Sequence, residues 1–172
     1  MPTSLAVLNS CDRGAFVAAL GPLFEHSPWV AADTYDGRPF ADADALYQAL
    51  CATMRDASND RHLALLRAHP DLAGRIARAG DLTPSSAREQ AAAGLDRLTS
   101  VDAAEIQRLN GIYRDRFGFP FIICARLNAK DAILAAMRVR VGNTPDAELS
   151  TALDEVAKIA RLRLDETIQR ES

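Results

Sequence analysis

Only one stretch of this 172-residue chain could pass for a β-strand, and a lone strand has no partner with which to build a sheet. The stretch is Phe117-Gly118-Phe119-Pro120-Phe121-Ile122-Ile123-Cys124, which reads instead as a loop feeding a helix. Everywhere else the apolar residues fall at helical spacing. The sequence therefore predicts an all-α fold, a multi-helix bundle forming a single domain over residues 1–172.

The helices can be placed by their start and stop signals. Phe16, Ala19, Leu20 and Leu23 follow a 3–4 spacing until Ser27-Pro28 stops the run, and residues 33–41, with Gly37 and Pro39, read as a loop. Asp42 can cap a helix that puts Leu46, Leu50 and Met54 on one face. Ser58 or Asn59 opens the next, which leads through Leu63, Leu66 and Arg67 to His69. Asp71 can cap a short helix ending near Gly80. Thr83-Pro84 is a helix start with proline at the first helical position, and this helix should run to about Leu98. Asp102 is expected to cap the helix of Ile106, Leu109 and Tyr113. Two long helices follow, from about 122 to 141 and from 146 to 169, broken by Gly142-Asn143-Thr144-Pro145.

Composition narrows the partners. Net charge is −3, with acids and bases mixed along the chain, so there is no basic block for nucleic acid. No apolar run approaches the roughly 18 residues that span a bilayer, and the first residues carry no basic signal region. The C-terminal Gln169-Arg170-Glu171-Ser172 is not a Ser-Lys-Leu address. Three cysteines, Cys11, Cys51 and Cys124, lie far apart in apolar settings, as expected of buried thiols in a reducing cytoplasm.

Two residues stand out chemically. His69 precedes Pro70, which pushes it away from helical geometry, and Asp71 then starts a new element. The imidazole is thus set at a sharp corner, and its ordinary pKa suits proton transfer near neutrality. Glu89 fits a capping box with Ser86, but Pro84 favours Thr83 as the cap. Ser86 would then be the third helical residue and Glu89 would lie in the second turn, able to face a pocket. The amides of this helix start, with the Ser86 hydroxyl, also form a ready anion site. A structural role remains open for both residues at this point.

Other groups carry weaker signals. His62 and His69 are seven apart, not the tight i, i+4 pairing of helical zinc sites, so no metal site is expected. The only lysines, Lys130 and Lys158, lie outside the His/Glu segments, which leaves little support for Schiff-base chemistry. Arg161 or Arg163 could turn inward to bind a carboxylate.

Five segments in order carry a resemblance: Phe24-Glu25-His26-Ser27-Pro28-Trp29-Val30-Ala31, His69-Pro70-Asp71-Leu72-Ala73, Ser86-Ala87-Arg88-Glu89-Gln90-Ala91-Ala92-Ala93-Gly94-Leu95, Phe117–Ala125 and Ile159-Ala160-Arg161-Leu162-Arg163-Leu164. With them the chain resembles the 2-oxo-4-hydroxy-4-carboxy-5-ureidoimidazoline (OHCU) decarboxylases over nearly its whole length. The resemblance implies decarboxylation of that substrate to (S)-allantoin in urate catabolism, in a homodimer, without cofactor or metal. It implies His69 and Glu89 as the catalytic pair. It places Pro70, Ser86, Gln90, Phe121, Ile122, Ile123 and Arg163 at the substrate, with Arg161 as the alternative arginine. Glu25 and Trp29 match the pattern without an assigned role. Three rival readings stand beside this one. They are an enzyme acting on a related ureido or purine-derived acid, a non-catalytic helical interaction module, and a hydrolase using Cys51 or Cys124.

Overall fold

The computed structural model describes residues 2–73 and 82–168. Among these residues the helices in chain order are α1 (Leu5–Ser10), α2 (Arg13–Leu20), α3 (Trp29–Thr34), α4 (Ala43–Arg55), α5 (Asn59–Arg67), α6 (Pro84–Ala92), α7 (Ser100–Phe117), α8 (Lys130–Arg140) and α9 (Pro145–Thr167). Short 3-10 turns occupy Gly21–Leu23, Tyr35–Gly37 and Ala125–Leu127. No strand occurs among the described residues, where the β-type pairing is an isolated bridge between Thr3 and Ile168. The fold is all-α, as the sequence predicts. No described helix is long and apolar enough to cross a membrane.

Local chemistry explains most helix starts. Ser4, Asp12, Asp42, Ser58, Thr83 and Thr99 each accept the N–H of the residue three positions on, which satisfies one of the four orphan donors of a helix. Asp42 and Ser58 are the caps the sequence indicates. Thr99, not Asp102, caps α7, and Asp102 supplies the N–H that Thr99 accepts. α6 ends at Ala92 rather than Leu98. There Gly94 takes φ +80° while Leu95 N–H reaches Gln90 O (3.1 Å) and Gly94 N–H reaches Ala91 O (3.0 Å), the paired bonds of a Schellman terminus.

Three further expectations change. The helical run of Phe16, Ala19, Leu20 and Leu23 ends as an α-helix at Leu20, and Gly21–Leu23 form a 3-10 turn before Ser27-Pro28. The loop expected over 33–41 starts later, because Thr34 ends α3 and Tyr35–Gly37 form a 3-10 turn. The helix expected from about 122 begins at Lys130, and Phe121–Cys124 stay outside any helix. The short helix expected after Asp71 falls largely outside the described residues.

The chain forms two compact units. One holds residues 1–68 and 157–172, the other residues 69–156. In the first, α3 packs on α2 and α4, with Phe16, Leu20, Val30, Leu46, Leu50, Met54 and Leu65 buried. Arg38 ties α1 to this unit by donating to the carbonyls of Leu8, Asn9 and Cys11 while its guanidinium lies 3.5 Å over the Tyr35 ring. In the second, α7 packs on α8, and Ile106, Leu109, Tyr113, Phe121, Ile133, Met137 and Ala152 are buried.

Candidate active site

The start of α6 settles the position of Glu89. Thr83 is the cap, accepting Ser86 N–H at 3.2 Å, and Pro84 is the first helical residue. Ser86 is thus the third helical residue and Glu89 the sixth. Ser86 and Gln90, one turn apart, are buried (6% and 8% exposed), and Glu89 between them is half-buried. The cap takes the Ser86 N–H, so the anion site expected here is reduced to the remaining amides and the Ser86 hydroxyl.

α5 stops at Arg67, and Ala68, His69 and Pro70 turn the chain. Pro70 cannot donate to a helical ladder and disfavours helical geometry at His69. The imidazole is 8% exposed at this corner. The next residues are tied to the helices of the same unit: Ala73 N–H donates to Gln90 Oε1 (3.1 Å) and Asn110 Nδ2 donates to Leu72 O (2.9 Å). Gln90 therefore has its carbonyl end engaged, which turns its NH₂ into the end that can donate elsewhere.

The segment Phe121–Cys124 is almost wholly buried. Two of its carbonyls are taken, Ile122 O by Arg140 Nη1 (2.7 Å) and Cys124 O by Leu127 N–H (3.1 Å) and Asn128 Nδ2 (3.0 Å). Its N–H groups donate to no described residue. Buried backbone donors are normally bonded, so a row of them marks a place where a ligand can accept. α6 packs on the adjoining Ala125–Leu127 turn.

Burial pushes the Cys124 thiol pKa up, and the charges of Glu155 and Glu89 push in the same direction. Such a thiol stays protonated and is no nucleophile at neutral pH. Cys51 is raised as well, chiefly by burial. Cys51 and Cys124, the two thiols that the hydrolase reading would use, are both buried. Among the described residues no group of three His, Cys, Asp or Glu is arranged to hold a metal. His62 is engaged with Met54 O at 2.8 Å, and His26 is exposed at the surface.

Glu155 was not singled out by sequence. Its signal was a charge on the otherwise apolar stripe of Ala152, Leu153, Val156 and Ile159, all buried, where Glu155 is itself 7% exposed. Arg140 and Glu148 were missed for the same reason, being charges on helices with apolar faces. Glu148 is wholly buried and accepts from Tyr113 Oη (2.6 Å), Arg140 Nε (2.6 Å) and Asn143 Nδ2 (3.0 Å).

The two candidate arginines lie in the other unit and differ sharply. Arg161 is partly exposed and pairs with Asp44 and Asp165. Arg163 is 6% exposed, donating to Glu25 (3.0 Å) and to Pro22 O (3.2 Å). Glu25 thereby gains a function that sequence could not assign, as the buried counter-ion of Arg163. An open hollow of about 710 Å³ beside Asp102, Glu105, Arg108 and Arg138 contains none of these groups. Its carboxylates are already paired with Lys130 and Arg108, so the chemistry does not lie there.

His69, Ser86, Glu89 and Gln90 all fall in the segments that carry the resemblance. A family model described as OHCU decarboxylase matches residues 9–165. A 2-oxo-4-hydroxy-4-carboxy-5-ureidoimidazoline decarboxylase of Halalkalicoccus jeotgali is 46% identical over 95% of this chain and 92% of its own. The crystal structure of an (S)-allantoin synthase is similar with a TM-score of 0.75 and 32% identity, covering 96% of this chain, which spans 54% of that one. The crystal structure of an OHCU decarboxylase in the presence of (S)-allantoin is similar with a TM-score of 0.68 and 26% identity, over 91% of this chain and 97% of that one. With sequence, fold and site motifs in agreement over nearly the full length, the chain belongs to the OHCU decarboxylase family.

Proposed function

We propose that this protein decarboxylates 2-oxo-4-hydroxy-4-carboxy-5-ureidoimidazoline to (S)-allantoin during urate breakdown, with His69 and Glu89 as the acid–base pair. The reading is supported by α6, which carries Ser86, Glu89 and Gln90, packs on the Ala125–Leu127 turn next to the buried Phe121–Cys124 segment, and holds the turn after His69 through Gln90. The backbone N–H groups of that segment suit a substrate rich in carbonyl and carboxylate oxygens.

Loss of carbon dioxide breaks one carbon–carbon bond and leaves its electron pair on the ring carbon. The neighbouring carbonyl and ring nitrogen of the substrate delocalise that pair. The protein supplies orientation, charge stabilisation and a proton on one face. His69, seated by Pro70, assists carboxylate loss and helps to deliver the proton. Glu89 holds the hydroxyl and ring N–H groups. Gln90, with Oε1 engaged by Ala73, donates from its NH₂, and Ser86 donates or accepts through its hydroxyl. Phe121, Ile122 and Ile123 offer backbone amides. Arg163 is the arginine that the family motif assigns to substrate, whereas Arg161 is committed to surface carboxylates.

The same reading takes residues 1–172 as one domain, supported by a single family model over residues 9–165. It takes the protein as a homodimer in the cytoplasm, where free thiols persist. No nucleic acid, cofactor or metal enters the scheme.

The test is circular dichroism during urate breakdown by urate oxidase and hydroxyisourate hydrolase, with and without this protein. Fast growth of optically active allantoin is expected. Slow, racemic product with folded protein present points instead to a related ureido acid as substrate, or to a binding role.

A further inference from the structure

Three consecutive residues after His69-Pro70 are each held by a different side chain. Asp71 Oδ1 accepts from Arg114 Nη2 at 2.7 Å, Leu72 O accepts from Asn110 Nδ2 at 2.9 Å, and Ala73 N–H donates to Gln90 Oε1 at 3.1 Å. The holders come from α6 and α7, in the same compact unit as the turn. Ala73 sits at φ +50°, a left-handed conformation that side chains other than glycine adopt reluctantly. The turn is therefore fixed in a shape it would not take unaided.

Asn110 is the strongest of the three. It is 7% exposed, on the face of α7 that also buries Ile106, Leu109 and Tyr113. A leucine there would suit both the helix and the core better. Its Oδ1 finds no hydrogen-bond partner, so half of the buried amide is unsatisfied. What the position retains is the Nδ2 donor, and that donor goes to a peptide carbonyl 38 residues away. The Arg114–Asp71 pair is half exposed on the arginine side and correspondingly screened.

We infer that Asn110 is a positioning residue for His69: through the Leu72 carbonyl it fixes the 69–73 turn and hence the approach of the imidazole to substrate. Gln90 completes the clamp from the substrate side, coupling the turn to the amide that meets substrate. This inference rests on the decarboxylase reading of His69.

The experiment compares Asn110→Ala, Asn110→Asp and Arg114→Ala with the wild type in the coupled urate assay, separating kcat from KM. It also records the imidazole signals by NMR. The chain has three histidines, so a His69→Asn spectrum assigns the critical one. Asn110→Ala and Asn110→Asp are expected to stay folded and lose about 10- to 100-fold in kcat, with KM within about threefold. The His69 signals should shift or broaden while those of His26 and His62 stay in place. Arg114→Ala should change kcat by less than about threefold. Unchanged kcat with unmoved His69 signals would overturn the inference, as would parallel shifts of all three histidines. Unfolding of both Asn110 variants would overturn it too, making Asn110 a residue of the core alone. If the wild type produces no optically active allantoin, the functional reading fails by itself, and the His69 signals still decide whether the clamp exists.

Discussion

A thiol cut off from water keeps its proton, and burial, with a smaller push from the charges of Glu155 and Glu89, raises the Cys124 thiol in this way. In the native protein at pH 7–8, Cys124 and the buried Cys51 should resist iodoacetamide while the part-exposed Cys11 reacts, as peptide mass spectrometry can show. Rapid labelling of Cys124 in the folded state would contradict the burial argument. His69 is the residue on which turnover should depend most. His69→Asn is expected to keep the fold and to lower kcat by roughly 10³-fold, within the usual range for losing a general acid–base group. Glu89→Gln keeps size and removes charge, so a fall in kcat larger than any change in KM would identify Glu89 with the chemistry rather than with binding. Neither role was readable from spacing alone. A histidine before proline and a glutamate in a second helical turn are common structural features, and only the family motifs singled them out.

At the level of elements, the extended Phe121–Cys124 segment is shaped by what lies behind it. Arg140 holds the Ile122 carbonyl, sits 4.2 Å over the Phe121 ring and is neutralised by Glu148, which also binds Tyr113 and Asn143. Burial and the neighbouring Glu148 carboxylate raise the Tyr113 hydroxyl far above its ordinary range, so it remains a donor. Removing one member leaves the others buried without a partner. Glu148→Gln or Arg140→Met should each cost about 3–5 kcal/mol in urea denaturation. The double variant should cost clearly less than the sum. Additive losses would mean that the two groups do not act as a pair. Helix starts were legible because a cap is a local event involving residues three apart, as at Asp42, Ser58 and Thr83. The early end of α6 at Ala92, ahead of Gly94, and the delay of α8 to Lys130 were less so. Apolar periodicity continues through both places, and the decision belongs to a left-handed glycine in one case and to long-range bonds in the other.

At the level of the whole molecule, alkaline pH should expose a tie between α4 and the end of the chain. Tyr47 on α4 donates to Ala157 O (2.9 Å), and burial together with the Cys51 thiol pushes its hydroxyl up from 10.0 to about 12. The folded state thus holds this proton more tightly than the unfolded chain. The stabilisation is complete below pH 10 and is lost as pH rises through about 12, so the urea midpoint should fall over that window. Tyr47→Phe should start lower and fall less steeply over the same window, and identical slopes would remove Tyr47 as the cause. By itself the sequence determined the helical class, most helix starts and the family, and it singled out the motif segments in which the proposed site residues lie. These depend on local periodicity, caps and short motifs, in which the interacting residues are near neighbours in the chain. Tertiary structure alone decided which charged and polar groups are buried and with whom: Arg163 with Glu25, Arg140 with Glu148, and Asn110 with the Leu72 carbonyl. Each of those pairs joins residues on different elements. Their energies come from desolvation and hydrogen-bond geometry, quantities that exist only once the chain has folded and water has been excluded.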